Sequence, residues 1–208
     1  MNLSPDLLPP IAEIRRIAQS LAMLDAVLSP EWDLRYYSFD GGWAPGEEMA
    51  SMRNGSGDDW FLLFDAAGAA LKGFAHELAD AASFCGSIQE QVPPGFSSFL
   101  REPAFSMQHA TFCYWSKRED STWYKVDGFQ GDDGSTELLA HLILGPAGYK
   151  AWAEDYFEVP VDFDAVAAVF AHEPLAESVI RALNPAADLD AAYADAVEIG
   201  FPRHGPDA

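Results

Sequence analysis

Three short runs, Glu48 to Arg53, Asp59 to Asp65 and Ala69 to Ala75, are separated by turns that contain glycine. This spacing constrains the fold more than any other feature of the chain. Strand-length segments bounded by Asn-Gly, Ser-Gly or Ala-Gly favour hairpins, because glycine enters positive φ without a steric penalty and Asn tolerates it. Asn54-Gly55-Ser56-Gly57 is the turn of the first hairpin and Ala66-Ala67-Gly68 the turn of the next. Leu34 to Phe39 reads as an earlier strand that ends at the turn signal Asp40-Gly41-Gly42, and Trp43-Ala44-Pro45-Gly46 reads as irregular. The expectation is an antiparallel meander.

Around the meander the period changes. Pro9-Pro10 suits a helix start, and Ile14, Ile17, Leu21, Leu24 and Leu28 recur at helical spacing up to Pro30. That pattern predicts an amphipathic helix docked by one face. Glu77 to Cys85 and Phe96 to Leu100 read as short helical pieces. Phe112 to Trp115 and Trp123 to Val126 read as a second hairpin with the charged segment Lys117 to Asp120 at its tip. Gly131 to Ser135 is a polar break rich in N-capping residues. Helices are predicted over Glu137 to Leu144, Ala147 to Phe157, Asp162 to Ala171, Pro174 to Leu183 and Leu189 to Ile199, with a tail from Gly205. The fold class is α+β: a central antiparallel β-meander with an N-terminal helix and a C-terminal helical region. One domain is expected over 1-208, β-rich at 30-130, with a helical part at 131-200 packed on it.

Charge narrows the function classes. Twelve Lys and Arg face 33 Asp and Glu, for a formal net charge of −21. Such a chain is not expected to bind nucleic acid, which requires clustered cations, and its field repels anionic membranes and attracts a basic protein. No run approaches 18 apolar residues, so no membrane span is expected. The N-terminus shows no basic segment followed by an apolar one, and the expected location is cytoplasmic. Cys85 and Cys113 each sit beside aromatics and read as reduced, buried small hydrophobes.

The segment Arg53 to Asp59 is the main candidate site. Arg53 could hold an anion, Asn54 and Ser56 offer polar atoms on a glycine-rich turn, and Asp58 and Asp59 could take a hard cation. The same residues also make an ordinary hairpin loop. His76-Glu77 follows the fourth strand and could move protons. His172-Glu173 repeats the dipeptide, and neither extends to H-E-x-x-H, since position 80 is Asp80 and position 176 is Ala176. Asp132, Asp133 and Glu137 hint at calcium, yet acids ahead of a helix are explained by its dipole. No G-x-S-x-G or G-x-G-x-x-G occurs, and no cofactor or metal is expected. Trp43, Trp60, Trp115, Trp123, Trp152, Tyr36, Tyr37 and Tyr156 exceed what turns require. Most should be core, and a subset could anchor a protein partner.

Tyr36 to Phe39, Met49 to Asp58 and Lys72 to Glu77 together resemble a bacterial family of about this length with no assigned activity. Asp155 to Glu158 and Pro174-Leu175 extend the resemblance over most of the chain. It implies a bacterial cytosolic protein and carries no catalytic role. In composition alone the chain is similar to immunity proteins of bacterial toxin systems, which are acidic, compact and aromatic-rich. The leading expectation is therefore a non-enzymatic module that binds a basic protein, with an immunity-type inhibitor as its sharpest form. The alternative is a metal-dependent or small-ligand-binding enzyme using Arg53 to Asp59, with His76 as acid or base.

Overall fold

The computed structural model describes residues 2–78 and 84–203. Its centre is one antiparallel sheet in the sequential order β1 (Tyr37–Ala44), β2 (Glu47–Arg53), β3 (Asp59–Phe64), β4 (Gly68–Phe74), β5 (Phe112–Lys117) and β6 (Tyr124–Lys125). The fold class is α+β, with the expected meander, N-terminal helix and C-terminal helices. The glycine turns behave as their chemistry requires: Gly55 and Gly57 adopt φ of 72° and 118°.

One strand departs from expectation at both ends. β1 starts at Tyr37, because Trp32–Leu34 forms a 3-10 turn. It then runs through Asp40-Gly41-Gly42 and reverses only at Pro45-Gly46. Pairing jumps from Asp40 with Met49 to Ala44 with Glu47, so the glycines form a bulge rather than a turn. Gly41 is needed there, since a Cβ would stand 3.0 Å from the Glu198 carbonyl.

Helix α1 (Ile11–Leu28) has the predicted bounds but not the predicted exposure. From Ala18 to Val27 every residue is buried, so this part of the helix is enclosed rather than docked by one face. Its first turns do dock by one face, with Ile14 buried and Ala12, Glu13 and Arg16 exposed, so the enclosure concerns Ala18 to Val27. Small residues there let neighbours approach, and the polar residues have partners. Gln19 Nε2 donates to the Ile199 carbonyl at 2.9 Å, and Ser20 Oγ donates to the Val169 carbonyl at 3.1 Å. Asp25 accepts from the Tyr36 and Tyr37 amides, both at 2.9 Å, and from Tyr149 Oη at 2.8 Å.

Helices α2 (Phe84–Gln91) and α3 (Ser97–Arg101) cover the other sheet face. The predicted Glu77-to-Cys85 helix falls largely outside the described residues, as does the tail after Arg203. What is seen there is a 3-10 turn at His76–Leu78 and then α2. The C-terminal part comprises α4 (Ser135–Leu138), α5 (Gly145–Tyr156), α6 (Phe163–Phe170), α7 (Glu177–Leu183) and α8 (Leu189–Ile199). These helices share the large core with α1 and one sheet face, including Tyr37, Trp60, Tyr114 and Tyr149. The opposite face carries Met49, Phe61, Leu63 and Cys113 beneath Phe84, Phe99 and Phe105. No described helix is long and apolar enough to cross a membrane.

Candidate functional site

The Arg53–Asp59 loop closes on itself first. Asn54 Oδ1 accepts from the amides of Ser56 and Asp58 at 2.9 and 3.1 Å, an Asx turn that fixes the tip. Asn54 Nδ2 donates to Asp58 Oδ2 at 2.6 Å. The other carboxylate oxygen accepts from the His76 amide at 2.8 Å and faces His76 Nδ1 at 2.7 Å. Burial works to raise the Asp58 pKa, but the hydrogen bonds from His76 and Asn54 outweigh it and leave the carboxyl below its ordinary value. An ionised Asp58 fixes the proton on Nδ1 and leaves Nε2 free to accept in the neutral ring. Gly57 is packed on this imidazole, where a Cβ would lie 3.1 Å from Cγ. The histidine edges a depression of about 430 Å³ that also includes Glu77, Leu78, Glu137 and Leu138. Glu77 Oε1 lies 3.9 Å from Nε2.

Arg53 and Asp59 belong elsewhere. They are cross-strand partners, and register places Phe61 and Lys72 beside them on the face under α2 and α3. Asp59 pairs with the fully buried Lys72 ammonium at 2.6 Å. Burial lowers the Lys72 pKa, and the Asp59 carboxylate partly restores it. Lys72 Nζ lies 5.0 Å from the Phe61 ring centre. The structure therefore joins Asn54, Asp58 and His76 in one group and Arg53 and Asp59 in another, with Ser56 exposed at the tip. Asp58 and Asp59 do not share a cation site. Among the described residues no group of three or more His, Cys, Asp or Glu is arranged to hold a metal ion.

Of the calcium-like acids, Asp133 caps Ser135 and pairs with Lys125 at 2.5 Å. His172 Nε2 meets the Arg16 carbonyl at 2.8 Å, on a different part of the surface. Cys113 is buried and Cys85 half-buried, both free thiols, and burial drives the Cys113 pKa upward.

Arg53 is exposed, and among the described residues its guanidinium makes no ion pair or hydrogen bond. It lies 5.4 Å from the ring centre of Trp32 and 5.9 Å from that of Phe61. Beside this stack is a depression of about 300 Å³ bounded by Leu34, Tyr36 and Tyr156. Trp32, Leu34 and Tyr156 are 53%, 61% and 44% exposed. Behind them a half-buried aromatic stack supports Tyr156: its ring centre is 5.0 Å from Trp152 and 5.3 Å from Tyr36. Glu31, Asp33, Asp155 and Glu158 are exposed between these apolar residues. Sequence reasoning singled out Arg53 and Tyr156 but missed Trp32: its alternation with acids in Glu31-Trp32-Asp33-Leu34 suits a half-buried strand, whereas Trp32–Leu34 forms a 3-10 turn and leaves Trp32 and Leu34 exposed. A larger depression, about 580 Å³, lies at the other end of the sheet. Its arginines are already engaged: Arg15 by Glu48, and Arg118 by the Asp65 and Ala66 carbonyls. A comparison with protein-family models, known proteins and solved structures returns no match.

Proposed function

We propose that the chain is a non-enzymatic cytosolic protein-binding module whose partner is a basic protein, an immunity-type inhibitor in its sharpest form. One observation carries the reading: Trp32, Leu34 and Tyr156 stand exposed together around a concavity, with acids interleaved. Trp, Tyr and Arg dominate binding hot spots when a partner desolvates them. The −21 charge steers a cationic protein toward that surface and speeds encounter.

The test is capture from the native host by the wild-type chain and by a Trp32→Ala/Tyr156→Ala pair, followed by association kinetics across about 0.05 to 0.5 M salt. The expected result is a cationic protein that the paired variant loses, with an on-rate that falls as salt rises. If the captured protein is acidic, or binds the variant equally well, the reading fails.

A second reading rests on the Asp58–His76 pair, whose imidazole borders a cavity and could act as acid or base. Turnover of any substrate that disappears in His76→Gln, with the fold intact, would favour it.

A further inference from the structure

On the far side of the Trp32–Arg53 stack the surface dips again, into a groove of about 500 Å³. That volume suits a small ligand. Its apolar lining includes Trp43, Met49 and Phe61. Two of these rings are held from behind by Phe105. The Phe61 and Phe105 centres are 5.0 Å apart at 24°, and those of Trp43 and Phe105 are 6.3 Å apart at 19°. Offset stacking of this kind makes a stiff, flat wall, so little ordering is left for a ligand to impose.

One cation opens onto that wall. Arg53 makes no ion pair or hydrogen bond through its guanidinium among the described residues. Other arginines at depressions of this surface differ: Arg15 is held by Glu48, Arg35 by Asp195, and Arg118 by backbone carbonyls. In a chain with 33 acidic and 12 basic residues, an arginine left over beside an aromatic wall retains its full donor fork for an incoming anion. Trp32 and Phe61 near the guanidinium add cation–π attraction and restrict its motion. The groove is also lined by Asp40 and Glu198, which disfavour any second negative charge on the ligand.

We propose that this groove binds a small organic monocarboxylate with a flat apolar body, the carboxylate paired with Arg53 and the body lying on Phe61 and Trp43. The proposal goes beyond protein docking and needs no protein partner.

The probe is 3-phenylpropionate, titrated against the full chain with the tryptophan indole N–H resonances as readout. Trp32→Phe and Trp43→Phe identify the two signals that matter. The expected result is saturable movement of both signals, with a Kd on the order of 1 mM. Two changes should each weaken binding about tenfold or more: replacing the probe by 3-phenylpropionamide, and replacing Arg53 by Gln. A probe with a second carboxylate opposite the first should also bind more weakly. The unfolding midpoint of Arg53→Gln serves as the fold control, since its side chain is exposed. Equal binding of the amide, full binding by a folded Arg53→Gln variant, or no saturable movement at all would each overturn the proposal.

Discussion

Both faces of the sheet pair the polar groups they bury, but only one leaves a charge over at its edge. Under α1, Gln19, Ser20 and Asp25 are buried and each has its hydrogen bonds inside the molecule. Over β1 and β2 on the other face, Arg53 is left open beside Trp32 and Phe61. The first face shows what the fold needs, because an unpaired polar group there would cost stability. The second shows what the fold does without, and surplus capacity of that kind is where binding can be sought.

Tryptophan substitutions give the largest contrast. Trp60 is buried, and its Nε1 donates to the Leu138 carbonyl at 3.0 Å. Trp60→Ala should cost about 3–5 kcal/mol in urea unfolding. Trp32→Ala should stay within about 0.5 kcal/mol, as substitutions at exposed sites do. A comparable loss at Trp32 would mean that the open face is structural after all.

Next in size is the ion pair that underlies the open face. Asp59→Ala strands the Lys72 ammonium with no described carboxylate bonded to it, and should destabilise by about 3 kcal/mol. Lys72→Met combined with Asp59→Ala removes both charges and should recover most of the loss. If the double variant is no better than the single, the pair is not what makes Asp59 necessary.

The enclosed face should also show itself in pH dependence. Burial raises the Asp25 carboxyl from 3.8 to about 7, against the opposing effect of its hydrogen bonds to Tyr37, Tyr149 and Tyr36. Between those values the native state holds the extra proton, so this group makes stability fall as pH rises from about 4 to about 7. Burial lowers the His141 pKa from 6.5 to about 4, and its Nδ1 lies 2.5 Å from Tyr37 Oη. Here the unfolded state holds the extra proton, so stability falls as pH drops from about 6.5 to about 4. The two slopes oppose one another across the shared window. Asp25→Asn should cost about 1–3 kcal/mol near neutrality, because an amide cannot accept from all three donors. It should also unmask the His141 slope. A variant whose stability stays flat between about pH 6.5 and pH 4 would contradict this assignment.

These residues also mark where sequence reading stopped. The hairpin loop was legible because Asn54, Gly55 and Gly57 have one favourable local geometry, and α8 because its apolar period is undisturbed. Asp25 and Lys72 were not, since periodicity treats a charged residue as exposed. Asp25 interrupts Ala22-Met23-Leu24 and Ala26-Val27, and one of its partners, Tyr149, is 124 residues away. Lys72 sits among Ala69-Ala70-Leu71 and Phe74. Charges inside such runs were the available signal, but only tertiary pairing shows that they are satisfied. For the same reason Asp58 and Asp59 read as one carboxylate pair, although the strand pleat sends neighbours to opposite faces.

That division leads to the smallest effect. Asp58→Ala removes the acceptor for the His76 amide, His76 Nδ1 and Asn54 Nδ2. His76 is more than a third exposed, so the cost should be below about 1 kcal/mol. Because the Asp58 pKa is lowered in the fold, that contribution is present above the ordinary aspartate value and fades as pH falls through the native one. The sharper measurement is spatial. Imidazole nitrogen shifts should show the Nδ1 proton of neutral His76 released in Asp58→Ala, while the Arg53 Nε and Lys72 Nζ signals stay in place. Movement of all three would mean that the two groups communicate across the hairpin and act as one site. Movement of His76 alone would leave Arg53 free to bind independently of anything His76 does.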